Sequence, residues 1–301
     1  HVVHHQSEEY NLSVALRQSS FQVIWTFGFS LPIAFLGFDT LDFALISALN
    51  TLYQFWIHTE TINKMGWFEY VFNTPSHHRV HHGRNPKYID KNHAGSLIIW
   101  DKMFGTFQAE EERPTYGITK PLNSLNAVWA NFSHYAEMGK ELKTIPLWSD
   151  KIKYLFKKPG WLPESMGGYR QAPAVDANTY KKYDPIHPVR LNYYVLFQYI
   201  ICLGVTGFFL FRQKEFTMME KTVAATLISV WVVNCGVLFE QKTWVRYAEW
   251  VRIILFTAIA IIITYLLQGP VYIYIAAILY GTISALWFYS LPVSYEKVAV
   301  A

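Results

Sequence analysis

The sequence predicts an all-helical, polytopic integral membrane protein with a histidine-rich helical domain outside the lipid. Of the 301 residues, 52% are hydrophobic and only 16% are charged, whereas a soluble domain usually carries about 25% charged residues. About six apolar runs are long enough to enter a bilayer. Two histidine motifs of identical spacing lie outside these runs. The low charge therefore indicates that much of the chain lies in lipid.

The chain begins on the first histidine motif. His1, His4 and His5 form the pattern HxxHH, in which positions i, i+3 and i+4 share one face of a helix. A natural protein rarely starts on such a motif, so we expect a fragment that lacks its N-terminal part. Glu8 and Glu9 follow closely, and either is a candidate for orienting an imidazole through a hydrogen bond.

Two uncharged or nearly uncharged runs follow, at residues 21–38 and 41–57. Their lengths lie near the lower end of the range for a spanning helix, ~17–25 residues. They predict a membrane hairpin over residues 21–57, which either crosses the bilayer or enters it without crossing. In both cases the chain returns to the side from which it entered. His58 is therefore predicted to lie close to His1, His4 and His5.

The second HxxHH motif consists of His78, His81 and His82, within residues 74–86. Pro75 is typical of a helix start, and Gly83 and Pro86 are typical of its end, so we expect a short helix. Two such motifs with a histidine between them predict a polynuclear metal site. Its candidate ligands are His1, His4, His5, His58, His78, His81 and His82.

The composition of this ligand set narrows the chemistry. Imidazole suits iron, zinc, copper and nickel, but seven histidines exceed the four ligands of a structural zinc site. No carboxylate occupies the motif positions, which disfavours the Glu/ExxH type of di-iron bundle, and no HExxH protease motif is present. We interpret the set as a di-iron centre that uses O2 to attack an unactivated C–H bond of a lipid.

Residues 126–190 are predicted to be a cytosolic linker region, and residues 1–125 the di-iron domain with its hairpin. Residues 191–292 are predicted to form the C-terminal transmembrane helices, from apolar runs at 191–211, 222–239, 253–267 and 271–291. An even number of crossings places Arg190, Lys242, Arg246 and Arg252 on the side of the histidines. The positive-inside rule then makes that side cytosolic.

Other functional classes receive less support. The net charge of +4 contains no basic block, so no nucleic-acid partner is expected. Cys202 and Cys235 lie in apolar runs and are expected to be buried side chains. A non-enzymatic metal-binding membrane protein or transporter is one alternative. It is disfavoured because the last four apolar runs carry almost no ionisable residue.

Several stretches resemble the fatty acid hydroxylase/sterol desaturase superfamily of integral membrane di-iron enzymes, over residues 1–125. They read most like its glyceryl-ether-cleaving members. The stretches that carry the resemblance are residues 1–13, 55–60, 73–86, 88–92 and 99–107. A sterol desaturase or fatty acid hydroxylase relative is the alternative within the same superfamily. The four additional C-terminal apolar runs count against that alternative.

The resemblance implies a monooxygenase that hydroxylates the ether-linked carbon of alkylglycerols or lyso-ether lipids, releasing a fatty aldehyde and a glycerol derivative. It implies two iron ions on the seven histidines, tetrahydrobiopterin as reductant, and a location in the endoplasmic reticulum membrane. The superfamily also carries an upstream HxxxH motif, which is absent from this sequence. Four residues match superfamily positions that could orient ligands or bind pterin or lipid: Glu8, Glu60, Asn85 and Asp90. The resemblance makes His77 either a group that supports the ligands or an alternate ligand.

Overall fold

The computed structural model describes residues 1–176, 179–266 and 268–292. Within these ranges the regular structure is helical, and the single extended pairing is an isolated bridge between Gly83 and Tyr116. The predicted all-helical class is therefore confirmed. The α-helices are α1 Val2–His5, α2 Leu12–Ala15, α3 Gln22–Phe35, α4 Thr40–Trp56, α5 Pro75–His82, α6 Ile99–Phe104, α7 Ala127–Thr144, α8 Trp148–Phe156, α9 Val189–Arg212, α10 Met218–Leu238, α11 Thr243–Leu266 and α12 Val271–Tyr289.

The chain divides into two compact units. The first comprises His1–Asn123 and Ala130–Tyr183, and the second comprises Ser124–Trp129 and Asp184–Ala301. The first unit contains both histidine motifs and helices α1 to α6 and α8. The second contains α9 to α12. The division of the chain into a di-iron domain, a linker region and a transmembrane part stays a prediction.

The residues of the predicted hairpin form helices α3 and α4 in the first unit. Asp39 begins α4, because its carboxylate accepts a hydrogen bond from the Leu41 backbone N–H at 2.7 Å. The two helices have 14 and 17 residues, or lengths of about 21 and 26 Å. None of their residues is buried. Two mostly apolar helices with no buried residue are suited to a bilayer.

The second unit contains helices suited to crossing a membrane. Among the described residues, four segments are long and apolar enough: Val189–Glu215, Met218–Leu238, Thr243–Leu266 and Val271–Tyr289. Their shared core includes Leu191, Trp231, Val245 and Phe288. This finding confirms the prediction of a multi-pass membrane protein. The two cysteines are free and buried, as expected.

The third of these helices differs from its prediction. α11 begins at Thr243, ten residues before the apolar run that starts at Ile253. Arg246 therefore lies on the helix, and Glu249 and Arg252 are buried within it. The apolar run itself carries no charged residue, but the helix that contains it begins earlier and includes this charged turn. The two charged side chains can be buried because the Arg252 guanidinium donates two hydrogen bonds to the Glu249 carboxylate, at 2.6 and 2.8 Å. A hydropathy pattern cannot reveal this pairing.

Candidate metal centre

The second histidine motif lies on α5, as predicted. Pro75 occupies the first turn, where its missing N–H costs nothing, and the helix ends at His82 before Gly83. The first motif lies on α1, a single turn that spans Val2–His5. On α5, every residue except His81 is buried. The motif helix is thus packed inside the first unit and its imidazoles are held in place.

Four imidazoles form the inner histidine group: His4, His58, His78 and His82. All four are buried, and their ligand nitrogens lie within 4.8 Å of one another. His58 is at the centre, with its Nε2 atom 3.1 Å from the Nε2 atoms of both His4 and His78. His58, two residues after the end of α4, therefore lies beside histidines of both motifs, as the order of the apolar runs predicts.

The remaining three imidazoles form the outer histidine group: His1, His5 and His81. The Nε2 atom of His1 lies 2.9 Å from that of His5 and 3.3 Å from that of His81. His1 is exposed and the other two are partly exposed. The two groups are adjacent, since the His5 ring stacks on the His82 ring with centroids 4.2 Å apart.

Each motif contributes to both groups. His4 joins the inner group while its motif partners join the outer one. His78 and His82, one helical turn apart, join the inner group, and His81 joins the outer one. Two ligand sets, of four and three imidazoles, therefore arise from two copies of one motif and His58.

Hydrogen bonds fix which ring nitrogens face the inner group. The Nδ1 atom of His4 lies 3.1 Å from the carbonyl oxygen of Arg17, and that of His58 lies 2.6 Å from the carbonyl oxygen of Gln54. A carbonyl oxygen only accepts, so both Nδ1 atoms carry the proton. The facing Nε2 atoms of His4 and His58 then each carry a lone pair, and the two atoms lie 3.1 Å apart. Two lone pairs at this distance repel unless a cation lies between them.

Burial keeps these imidazoles neutral. Desolvation lowers the pKa of His4 to about 4 and the pKa of His81 to about 4. It also lowers the pKa of His5, His78 and His82 well below 6.5. The Nε2 atom of His82 is buried without a hydrogen-bond partner. Neutral, convergent and partly unpaired nitrogens fit a pair of metal ions with imidazole ligands.

The inner group rests on two stacked tyrosines. Tyr10 is buried, its hydroxyl donates to the Ile57 carbonyl at 3.1 Å, and its ring lies edge-on to His82 at 5.1 Å. Tyr116 stacks on Tyr10 with ring centroids 4.7 Å apart. Arg17 completes this support by donating to the Val3 carbonyl at 2.7 Å.

The five other candidate residues lie outside both histidine groups. Glu60 accepts from the Tyr116 hydroxyl at 2.9 Å, and Glu8 accepts from the Tyr183 backbone N–H at 2.7 Å. Asn85 joins the loop that follows α5 to residues 112–115, accepting from the Thr115 backbone N–H at 2.7 Å. Asp90 is exposed. Their roles in orienting ligands or binding pterin or lipid stay predictions.

His77 points away from its neighbours on α5. Its ring is buried edge-on against Phe107, with ring centroids 5.3 Å apart. It belongs to neither ligand set.

Three buried polar residues hold the motif helix, and no sequence motif points to them. Asn92 donates to the His77 carbonyl at 3.0 Å, and Asp101 accepts from two backbone N–H groups of the same loop at 2.8 Å. Arg79 forms a bidentate pair with Glu110 at 2.6 and 2.8 Å. All three lie in stretches that carry the superfamily resemblance. That resemblance was the available signal, but it does not specify a structural role.

Comparison with known proteins agrees with this geometry. A family model described as fatty acid hydroxylase matches residues 1–106. The alkylglycerol monooxygenase of Xenopus tropicalis is 38% identical over 258 residues, and that of Homo sapiens is 37% identical over 258 residues. Both alignments cover 85% of this chain. The ornithine lipid hydroxylase OlsE of Rhizobium tropici is 30% identical over 77 residues, 26% of this chain and 23% of its own.

The chain spans 57% and 58% of the length of the two monooxygenases. No solved structure matches it. The resemblance predicted from the histidine motifs is confirmed. Residues 1–106 match the fatty acid hydroxylase family model, and the chain is similar over 85% of its length to alkylglycerol monooxygenases.

Proposed function

We propose that the protein is a di-iron monooxygenase that hydroxylates the ether-linked carbon of alkylglycerols or lyso-ether lipids. The observation that carries this proposal is the convergence of seven imidazoles into two adjacent ligand sets. The similarity to alkylglycerol monooxygenases supports the ether-lipid substrate. The described transmembrane helices and the uncovered hairpin support a substrate taken from lipid.

Seven histidines would bind the iron ions, and neighbouring groups would orient these histidines. His4, His58, His78 and His82 would hold one iron ion, and His1, His5 and His81 would hold the other. Bound iron would supply O2 activation and the oxidative attack on the C–H bond. The carbonyls of Arg17 and Gln54 keep protons on the far ring nitrogens, so that the near nitrogens remain free to bind. Burial of the inner group excludes water from it.

In the proposed reaction, one oxygen atom of O2 enters the C–H bond next to the ether oxygen, and two electrons and two protons reduce the other atom to water. The product is a hemiacetal. The bond between its hydroxylated carbon and the ether oxygen then breaks, which gives a fatty aldehyde and the free glycerol hydroxyl. Tetrahydrobiopterin is the proposed two-electron reductant. The proposed location is the endoplasmic reticulum membrane, with the histidines facing the cytosol.

A second candidate function is hydroxylation of a different lipid. It is favoured by the fatty acid hydroxylase match and by the short similarity to an ornithine lipid hydroxylase. The substrate would then be an acyl or sterol carbon, and the product would keep its hydroxyl group without releasing an aldehyde. The two functions therefore differ in a product that can be measured directly.

The deciding experiment is anaerobic iron loading of the purified protein, followed by an aldehyde-release assay on an alkylglycerol with and without tetrahydrobiopterin. We expect aldehyde only with iron, O2 and the pterin together. A stable hydroxylated lipid without aldehyde would favour the second candidate. Activity that survives complete iron chelation would overturn both.

His82→Ala tests the ligand assignment in the same assay. We expect loss of activity and a lower iron content, because His82 belongs to the inner group. A variant that retains both its iron and its activity would remove His82 from the ligand set.

A further inference from the structure

Helix α8, Trp148–Phe156, presents its apolar face outward. Trp148, Ile152 and Phe156 lie at spacings of four residues, on one face of the helix. They are 78%, 57% and 84% exposed. Leu155 belongs to the same face and is also exposed. A helix in contact only with water would expose its polar face instead.

The opposite face of α8 is polar and packs against the protein. Asp150 and Tyr154 are partly buried on that side. The Tyr154 hydroxyl donates to Glu141 of α7 at 2.8 Å, so the orientation of α8 is fixed by a specific contact. The apolar face is therefore held outward by the fold. Contiguous exposed apolar surface of this kind marks an interaction site.

The charges around this face are basic. Lys151, Lys153, Lys157 and Lys158 lie on or directly after the helix. Asp150 is the single acidic residue between Leu147 and Lys158, and it already pairs with Lys153 at 2.9 Å. An apolar face bordered by lysines is complementary to a bilayer surface that carries anionic headgroups.

Aromatic and basic side chains are also paired here. The Lys151 ammonium lies 5.1 Å from the centroid of the Trp148 ring, and the Lys158 ammonium lies 5.5 Å from the centroid of the Tyr169 ring. Such amphipathic side chains are enriched at the boundary between hydrocarbon and headgroups, where ring and charge each find a suitable environment.

The neighbouring helix links α8 to the membrane hairpin within the first unit. On α7, Phe132 and Tyr135 contact Phe21 at the start of the hairpin. Glu141, which holds α8, lies six residues further along α7, a distance of about 9 Å along the helix axis. The apolar face of α8 is therefore a short distance from an element that is itself suited to lipid.

We infer that α8 is an interfacial helix that lies on an anionic lipid surface, with Trp148, Ile152, Leu155 and Phe156 inserted among the acyl chains. The lysines at 151, 157 and 158 contact the anionic headgroups. This contact is independent of the proposed oxidation chemistry. It provides a membrane attachment for the first unit in addition to the hairpin.

The test places a fluorescent NBD group on Ile152→Cys in the whole protein, reconstituted into vesicles of phosphatidylcholine with phosphatidylserine. Lys153→Cys is the matched control, since it is the next residue and lies off the apolar face. Phe156→Cys repeats the measurement at a second apolar position. The parent protein, whose two cysteines are buried, gives the labelling background.

Spin-labelled lipid is then added as a quencher. We expect the label at residue 152 to emit at shorter wavelength and to be quenched at least about twofold more than the label at 153. Equal emission and quenching at the two positions would place the face in water and overturn the inference. A blue-shifted label that lipid does not quench would show that protein covers the face, which also overturns it.

The headgroup part of the inference has its own comparison. Replacing phosphatidylserine by phosphatidylcholine, or combining Lys157→Gln with Lys158→Gln, should reduce the quenching at residue 152. Raising the salt concentration should act in the same direction, because it screens the lysines. If quenching at residue 152 is unchanged by the lipid replacement, by the double lysine variant and by salt, the role of anionic lipid is overturned.

Discussion

His77 and His78 are neighbours on α5, yet they have different surroundings. His78 contributes its Nε2 atom to the inner group at 3.1 Å from His58. His77 lies against Phe107 and belongs to neither group. Both side chains are buried. This pair separates the effect of losing a metal ligand from the effect of losing any buried histidine on the same helix.

We expect His78→Ala to lower the bound iron by about half or more, because loss of a ligand or its support typically costs at least about tenfold in metal affinity. His77→Ala should retain its iron. Elemental analysis of both purified variants, with circular dichroism to check folding, makes the comparison. Equal iron content in two folded variants would contradict the assignment of His78.

The buried carboxyl of Asp101 stabilises the fold through the hydrogen bonds that it accepts. Burial alone would raise the pKa of this carboxyl, but hydrogen bonds from Thr106 and from the backbone of Ala94 and His93 hold it below its usual value of 3.8. Its contribution to stability is therefore present above pH about 4 and is lost as the pH falls further. We expect Asp101→Asn to lower the free energy of unfolding by about 1–3 kcal/mol.

Denaturant unfolding at neutral pH, measured by tryptophan fluorescence, checks this value. Asp90→Asn is the control, since Asp90 is exposed and its positive φ of 56° is one that asparagine also tolerates. The control should match the parent protein. A loss at Asp90 as large as that at Asp101 would contradict the proposed role of the buried hydrogen bonds.

For the elements α3 and α4, helix length distinguishes a hairpin that crosses the bilayer from one that enters it without crossing. The sequence left open whether residues 21–57 cross the bilayer. Helices of 14 and 17 residues reach about 21 and 26 Å, whereas a crossing requires about 30 Å. The lengths favour a hairpin whose tip remains in the bilayer.

We therefore expect Phe38→Cys, at the hairpin tip, to resist a membrane-impermeant maleimide applied from either side of sealed vesicles. Lys214→Cys, in the exposed connection between α9 and α10, should be labelled from one side. Labelling is measured by gel shift. A Phe38→Cys variant labelled on the side opposite to the histidines would show a full crossing instead.

Across the whole molecule, the four long helices of the second unit share one buried polar network. Arg252 and Glu249 of α11 pair with each other. Arg252 also donates to Tyr280 of α12 at 2.6 Å and to Gln198 of α9 at 2.9 Å. Glu249 accepts from Asn234 of α10. Every helix of the bundle therefore contributes to satisfying one ion pair.

Glu249→Gln should destabilise this bundle by about 3–5 kcal/mol, because it leaves the buried Arg252 charge without its counterion. Adding Arg252→Gln should recover much of the loss, since the uncompensated charge is then removed. Thermal unfolding in detergent follows both variants.

Glu215→Gln is the matched control for that ion pair. It breaks a pair with the same three-residue spacing, formed with Arg212 at the surface. Solvent-exposed ion pairs contribute little, so its melting temperature should equal that of the parent protein. A Glu249→Gln variant as stable as this control would show that the buried pair is not needed for packing.

Residue types and spacings in the sequence were sufficient to predict the helical class, the four long apolar helices and the histidines that gather into the two groups. These features depend on local periodicity and on composition, which a single chain displays directly. The short helix from Pro75 was predictable because proline and glycine mark its ends. The start of α11 was not, since its charged turn looks like a loop until its partners are known.

Tertiary structure alone decided how the histidines divide into a buried set of four and a more exposed set of three. That division depends on the faces that α1 and α5 turn toward each other across more than seventy residues. Local spacing cannot specify such long-range packing. The tertiary structure also decided that the His77 ring lies away from the histidine groups and that α8 exposes its apolar face. It likewise placed the carbonyls of Arg17 and Gln54 where they orient two imidazoles.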